Sequence, residues 1–125
     1  MPSTRTLTAA FALGRLLFGV GLVAAPDKLS ARWIGSDGER GPVQVLIRGL
    51  GARDIALSAG ALASLADDDR LAAWLAGAIL ADLSDVASIF VPPASQLPDN
   101  ARLGTVLLGG GAAAAGAALL TQVKK

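Results

Sequence analysis

The stretch LGTVLLGGGAAAAGAALL, residues 103–120, decides the fold class of this chain. It contains no charged side chain, and Thr105 supplies its only hydroxyl group. A helix in a water-soluble bundle needs a polar stripe along one side, and this stretch offers none. Its 18 residues approach the roughly 20 that an α-helix needs to cross the hydrocarbon core of a bilayer. The stretch therefore predicts a membrane-spanning helix.

Three further apolar segments precede it, at residues 7–25, 43–66 and 71–91. The intervening segments are rich in proline and glycine or in charge, which is typical of helix boundaries. Alanine, leucine and glycine dominate the apolar segments, and no alternation of period 2 indicates a strand. We therefore predict one all-α domain over residues 1–125, a four-helix transmembrane bundle with antiparallel neighbours.

Composition supports a lipid environment for this bundle. Hydrophobic residues make up 53% of the chain and charged residues only 17%, whereas a soluble domain has about a quarter charged residues. Fifteen of the 21 charged residues fall outside the four segments. The net charge of +1 gives no dominant basic face, which excludes nucleic acid as a partner. We expect a multi-pass protein of a bacterial inner membrane, with the lipid bilayer as its main partner.

The chain has no cysteine and no histidine. Disulfides, thiolate catalysis and zinc fingers are therefore excluded, and the commonest general base is missing. We expect no cofactor. Arg15 within the first apolar run and Pro26 directly after it argue against a cleaved signal peptide, so we expect the first segment to stay as a span.

The glycines and alanines of the fourth segment predict close helix packing. Small residues four apart, such as Gly109 with Ala113, let helix backbones approach where lipid supplies no hydrophobic drive. The glycines do not indicate a nucleotide site, because no strand precedes them. The same small face is a candidate surface for a homo-oligomer.

Six charged residues lie inside the predicted spans, and each costs about 2.5 to 3.5 kcal/mol at the centre of a membrane helix. Three are positive and three negative, so we expect them to neutralise one another inside the bundle. Depth along the helices predicts a shared cavity for five of them and a separate Arg48 to Asp85 pair. The six residues are Arg15, Arg48, Arg53, Asp54, Asp82 and Asp85.

Ionisable groups within a membrane usually mark a functional site. We therefore predict that this cluster binds an apolar small molecule that carries one polar group. An extended form of this hypothesis is that the cluster also converts the molecule chemically. The arginines 15, 48 and 53, with Asp54, would bind and orient the molecule. Asp82 and Asp85 would act as acid and base in an isomerisation, cyclisation or epoxide opening. Three nearby arginines argue against a metal.

Two alternatives stay open beside this interpretation. One is an oligomeric carrier or channel, coupled to protons or cations, in which the aspartates relay protons. The other is a membrane assembly protein whose ion pairs only hold the helices together. Whether the protein is an enzyme is not decided by these residues.

Three features of the chain resemble those of a known protein family. They are the stretch RGLGARD at residues 48–54, the four short spans, and the first loop with its proline and glycines. In these features the chain resembles the small four-span integral membrane proteins of actinobacteria and fungi, a family defined by a domain of unknown function. The resemblance implies an integral membrane protein and carries no catalytic role to particular residues.

The segments between the spans carry weaker signals. Asp69 is placed to cap the third helix, so the acidic run at residues 67–69 is interpreted as a solvated turn. Trp33 and Trp74 fall near predicted membrane boundaries, where indole rings settle. Residues 30–35 predict a short surface helix that carries Trp33.

Overall fold

A computed structural model describes residues 2–125, and over these residues the chain is all-helical with no strand. The prediction of an all-α chain is therefore confirmed. The helices are α1 (Thr4–Ala24), α2 (Pro26–Ile34), α3 (Gly41–Ala63), α4 (Asp68–Ser88) and α5 (Ala101–Val123). Helix α5 contains a π-helical stretch, Val106–Gly110, and a short 3₁₀ segment, Gly35–Glu39, joins α2 to α3.

The four long helices, α1, α3, α4 and α5, match the four apolar segments to within a few residues. Three of them, α1, α4 and α5, are long and apolar enough to cross a membrane. Helix α3 has 23 residues but carries Arg48, Arg53 and Asp54, and it is not one of these three. The fourth span therefore stays a prediction.

Side-chain caps fix the starts of two long helices. Ser3 accepts a hydrogen bond from the backbone N–H of Thr6 at 3.1 Å, and Asp67 accepts one from that of Arg70 at 3.1 Å. The prediction that Asp69 caps the third helix was wrong. Because α4 begins at Asp68, Asp69 lies within the first turn, where its charge still favours the positive end of the helix dipole.

Helices α1 and α3 pack antiparallel at very close range. A Cβ atom on Gly19 would lie 2.7 Å from the carbonyl oxygen of Gly51, and one on Gly51 would lie 2.6 Å from that of Gly19. At the two ends of this contact, Arg5 donates to the carbonyl of Leu65 and Arg48 donates to that of Val23. Only glycine allows the two backbones to come this close, as expected of membrane helices.

The small residues of α5 face α4. A Cβ on Gly109 would contact Val86 at 3.1 Å, and one on Gly116 would contact Ile79 at 3.0 Å. Ala113 between them is buried. This part of the small face therefore packs within the chain.

Helix α2 lies across one end of the long helices. The indole nitrogen of Trp33 donates a hydrogen bond of 2.7 Å to the hydroxyl of Thr105, at the start of α5. The predicted short helix carrying Trp33 is confirmed, although it begins earlier, at Pro26. Trp74 packs over Gly60, where any Cβ atom would fall onto the indole ring.

The distribution of side chains differs from that in a soluble protein, although a buried apolar core with Leu22, Leu71 and Leu75 is present. Large apolar side chains are exposed along the long helices, while several polar and charged groups are buried. The exposed set includes Leu13, Leu17, Val45, Leu46, Leu80, Leu83 and Leu107, and the buried set includes Thr8, Asp54, Ser58, Asp82 and Thr105. An exposed apolar surface of this extent indicates contact with lipid or with another protein.

Candidate functional site

Arg15, in the middle of α1, joins three helices through its guanidinium group. Its Nη1 donates to Oδ1 of Asp54 on α3 at 3.1 Å, and its Nη2 donates to Oδ2 of Asp82 on α4 at 2.5 Å. The side chains of Arg15, Asp54 and Asp82 are 9%, 8% and 6% exposed. This is a buried triad of one guanidinium and two carboxyl groups.

Arg53 and Asp85 form the second part of the network. The two guanidinium Nη atoms of Arg53 contact the two carboxylate oxygens of Asp85 at 3.0 and 2.7 Å, a fork-to-fork pair. Nη2 of Arg53 also reaches Oδ1 of Asp54 at 3.5 Å. Both side chains of the pair are 34% exposed. The structure thus brings all five predicted midplane residues into one Arg/Asp network.

Arg48 lies outside this network, so the predicted Arg48 to Asp85 pair was wrong. The side chain of Arg48 is exposed, and its Nε donates to the carbonyl oxygen of Val23 at 3.2 Å, in the last turn of α1. The short turn at residues 64–67 sets the register of α3 against α4 and places Arg53 level with Asp85. Arg48 is about 7.5 Å further along α3, beyond the reach of that carboxylate.

The network residues lie on the buried stripes of their helices. On α3, Asp54 continues the stripe formed by Ile47, Gly51 and Ser58, at helical spacing. On α4, Asp82 follows Leu71, Leu75 and Ala78 on the buried side. Arg53 and Asp85 sit at the edges of these stripes, and the long stem of Arg53 bends towards the carboxylates. The stripe through Gly51 and Ser58 is the signal that would have separated Asp54 from Arg48 in the sequence.

The void next to the network is small. A cavity of about 10 Å³ is bordered by Arg15, Ser58 and Trp74 among others. That is roughly the space of one water molecule, whereas small-molecule sites occupy about 300 to 1,000 Å³. Nε of Arg15 and Nε of Arg53 are buried without a hydrogen-bond partner among residues 2–125.

A larger, open cavity lies elsewhere, and sequence analysis did not predict it. It has a volume of about 350 Å³ and sits where α1 and α4 begin and α5 ends. Its lining includes Arg5, Asp68, Leu71 and Gln122. None of the six charged residues predicted to form a site contributes to it.

The geometry bears directly on the acid and base chemistry predicted for Asp82 and Asp85. Each of these carboxylates has its own arginine, Arg15 for Asp82 and Arg53 for Asp85. An acid beside a free base requires one carboxyl group without such a partner. In this arrangement the two aspartates are ion-paired groups, and their catalytic role stays a prediction.

Comparisons with protein-family models, with curated proteins and with solved structures find no match to this chain. The resemblance to the small four-span membrane family therefore stays a prediction. The Arg/Asp network, the exposed apolar faces and the small void are the observations that bear on function.

Proposed function

We propose that this chain is a multi-pass integral membrane protein in which the Arg/Asp network acts as an internal clamp. In this proposal α1, α3, α4 and α5 cross the bilayer as a four-helix bundle, and the ion pairs hold them in register. The observation that carries the proposal is the side-chain distribution, with ion-paired charges inside the bundle and many large apolar side chains exposed on its surface. The protein is then a structural or assembly component of the membrane. This is the alternative in which the ion pairs only hold the helices together.

The clamp explains how α3 can enter a membrane. Arg53 and Asp54 are each costly at a helix centre. Asp85 of α4 neutralises Arg53, and Arg15 of α1 contacts Asp54. Arg48, nearer the start of α3, extends to the carbonyl of Val23, as a long side chain does when it snorkels towards an interface. Helix α3 therefore depends on its neighbours for insertion.

Location and association are part of the same proposal. Helix α2 fits the interface beside the bundle, since it carries Trp33 together with exposed Lys28 and Arg32. A bacterial inner membrane and membership of the small four-span family agree with this picture. In α5, Gly104 and Gly111 have open space around them, so a homo-oligomer would use this outward side of the helix.

The structure offers less support for ligand conversion or transport. A ligand larger than water would enter the network only if α3 and α4 separated, because the void between them is about 10 Å³. A carrier would need a polar path to both ends of the bundle. The buried charged groups instead form a compact layer in the middle of the helices.

Two measurements on the expressed protein test the clamp. After alkaline carbonate extraction of a membrane fraction, we expect the protein in the pellet, and its release into the soluble phase would contradict membrane integration. Native mass spectrometry of the purified protein should then show no retained small molecule. A bound species that is present in the parent, lost in Asp82→Asn and kept in Asp69→Asn would instead support the ligand-binding function.

A further inference from the structure

The Arg/Asp network contains one more acid than base. Two arginines, Arg15 and Arg53, face three aspartates at positions 54, 82 and 85. If all five groups were ionised, the network would carry a net charge of −1. An unpaired charge in a low-dielectric interior is strongly unfavourable, and it is usually removed by binding a proton or another charge.

The remaining charged groups do not supply the missing positive charge. Helix α5 has no charged residue between Arg102 and Lys124, and α1 has none after Arg5 except Arg15. Arg48 of α3 is bonded to Val23 at the end of α1. No group of three or more acidic side chains among residues 2–125 is arranged to hold a metal ion. A proton is the remaining candidate.

The contact distances identify which of the three aspartates has no arginine of its own. Asp82 receives the shortest contact from Arg15, at 2.5 Å, and Asp85 receives both Nη atoms of Arg53, at 3.0 and 2.7 Å. The forked contact to Asp85 is the geometry of an ionised pair. Asp54 has the longer contacts, 3.1 Å to Arg15 and 3.5 Å to Arg53. Two arginines are therefore matched to two other carboxylates, and Asp54 is left over.

The pattern at Asp54 also fits a neutral carboxyl group. Both of its side-chain hydrogen bonds end on one oxygen, Oδ1, and neither arginine donates a hydrogen bond to Oδ2. In a protonated carboxyl the carbonyl oxygen accepts hydrogen bonds and the other oxygen carries the proton.

We infer that Asp54 is a proton-binding site, with its carboxyl group held in the neutral form between Arg15 and Arg53 inside the bundle. The inference rests on the proposed membrane insertion, because only a low-dielectric surrounding makes the extra charge intolerable. The network is then neutral overall, with two ion pairs and one neutral acid. Ionisation of Asp54 would place two buried carboxylates on the single guanidinium of Arg15.

Infrared spectroscopy of the protein in lipid vesicles tests this assignment. At neutral pH we expect the carbonyl stretch of one protonated carboxyl group, shifted in D₂O. Asp54→Asn should remove it, and Asp69→Asn, which changes an exposed acid beside Lys124, should leave it unchanged. Arg53→Gln should increase the signal, since it raises the excess of acids over arginines. No such band in the parent, or a band that persists in Asp54→Asn, would overturn the inference.

Thermal unfolding gives an independent readout. Asparagine keeps a neutral carbonyl oxygen for both arginines, so Asp54→Asn should shift the Tm little. Asp82→Asn removes an ionised partner and should lower the Tm by more than about 10 °C. Equal losses in the two variants would show that Asp54 is ionised. If the protein instead left the membrane under carbonate, the proposed membrane function would fail, whichever acid carried the proton.

Discussion

The two halves of the Arg/Asp network use the same chemistry in different surroundings. The Arg15 half is almost fully buried and joins α1 to both α3 and α4. The Arg53 to Asp85 half has better hydrogen-bond geometry, a two-point fork, but one third of each side chain is exposed. Burial and geometry therefore rank the two halves in opposite orders.

The two halves therefore distinguish two quantities: the stabilisation that an intact ion pair provides, and the loss of stability when one of its partners is removed. Breaking a buried ion pair by removing one partner leaves an uncompensated charge, and that penalty depends on burial. Loss of Arg15 breaks contacts to two carboxyl groups at once, whereas loss of Asp85 breaks one pair. We therefore expect burial to outweigh geometry, so that the Arg15 half controls stability.

Arg15→Gln should produce the largest loss of stability. It leaves Asp82 and Asp54 without their shared guanidinium, and the free energy of unfolding should fall by about 3 to 5 kcal/mol. Thermal unfolding followed by circular dichroism in detergent measures the loss. Arg5→Gln is the matched control, because Arg5 lies on the same helix but is exposed and, within residues 2–125, bonds only to Leu65. Similar losses in both variants would contradict the ranking.

Gly51→Ala should weaken the contacts of Arg15 with Asp54 and Asp82 indirectly, by moving α1. The new Cβ would lie 2.6 Å from the carbonyl oxygen of Gly19, so α1 must move away from α3 and carry Arg15 with it. Overpacking of this kind costs about 1 to 3 kcal/mol. Gly111→Ala, where the structure leaves open space, should be neutral or stabilising. The same unfolding assay compares them, and an unchanged Tm for Gly51→Ala would argue against the close helix contact.

Asp85→Asn should cost less than the loss of Arg15, about 1 to 2 kcal/mol after allowance for its exposure. Adding Arg53→Gln should then cost little more, because coupled partners are not additive. Adding Arg48→Gln to Asp85→Asn should give the plain sum of the two effects. A double-mutant cycle in detergent distinguishes the pairs, and coupling of Asp85 with Arg48 instead of Arg53 would refute the observed register.

Arg48→Gln alone should have the smallest effect, within about 0.5 kcal/mol. Its side chain is exposed and makes one hydrogen bond to Val23. Unfolding in detergent should barely change. A loss as large as that of Arg15→Gln would mean that Arg48 belongs to the network after all.

The sequence predicted five of the residues that meet, but it wrongly added Arg48 to the site and did not give the pairing of Asp85. Spacing along each apolar segment placed Arg15, Arg53, Asp54 and Asp82 near one depth, and the structure joins them. The partner of Asp85 depended on the register between α3 and α4, which the short turn at residues 64–67 sets. Depth counted from assumed span centres does not contain that information.

The remaining differences have local causes. Asp67 caps α4 in place of Asp69 because the helix starts three residues earlier than the apolar run. The glycine content suggested room for a ligand, but the structure has only a small void. The space beside Gly109 and Gly116 is occupied by the side chains of Val86 and Ile79 of α4. Glycine in a membrane helix predicts close packing more directly than it predicts a cavity.

The central claim is that α3 crosses the membrane as a fourth span because its charges are neutralised inside the bundle. The chain has no cysteine, so single reporters can be placed at the exposed positions Ser36, before α3, and Ala66, after it. Ser36→Cys and Ala66→Cys would be labelled with a membrane-impermeant maleimide in sealed vesicles, before and after permeabilisation. The account predicts that the two cysteines react from opposite faces. Labelling of both from the same face would show that α3 does not span, and would contradict the account.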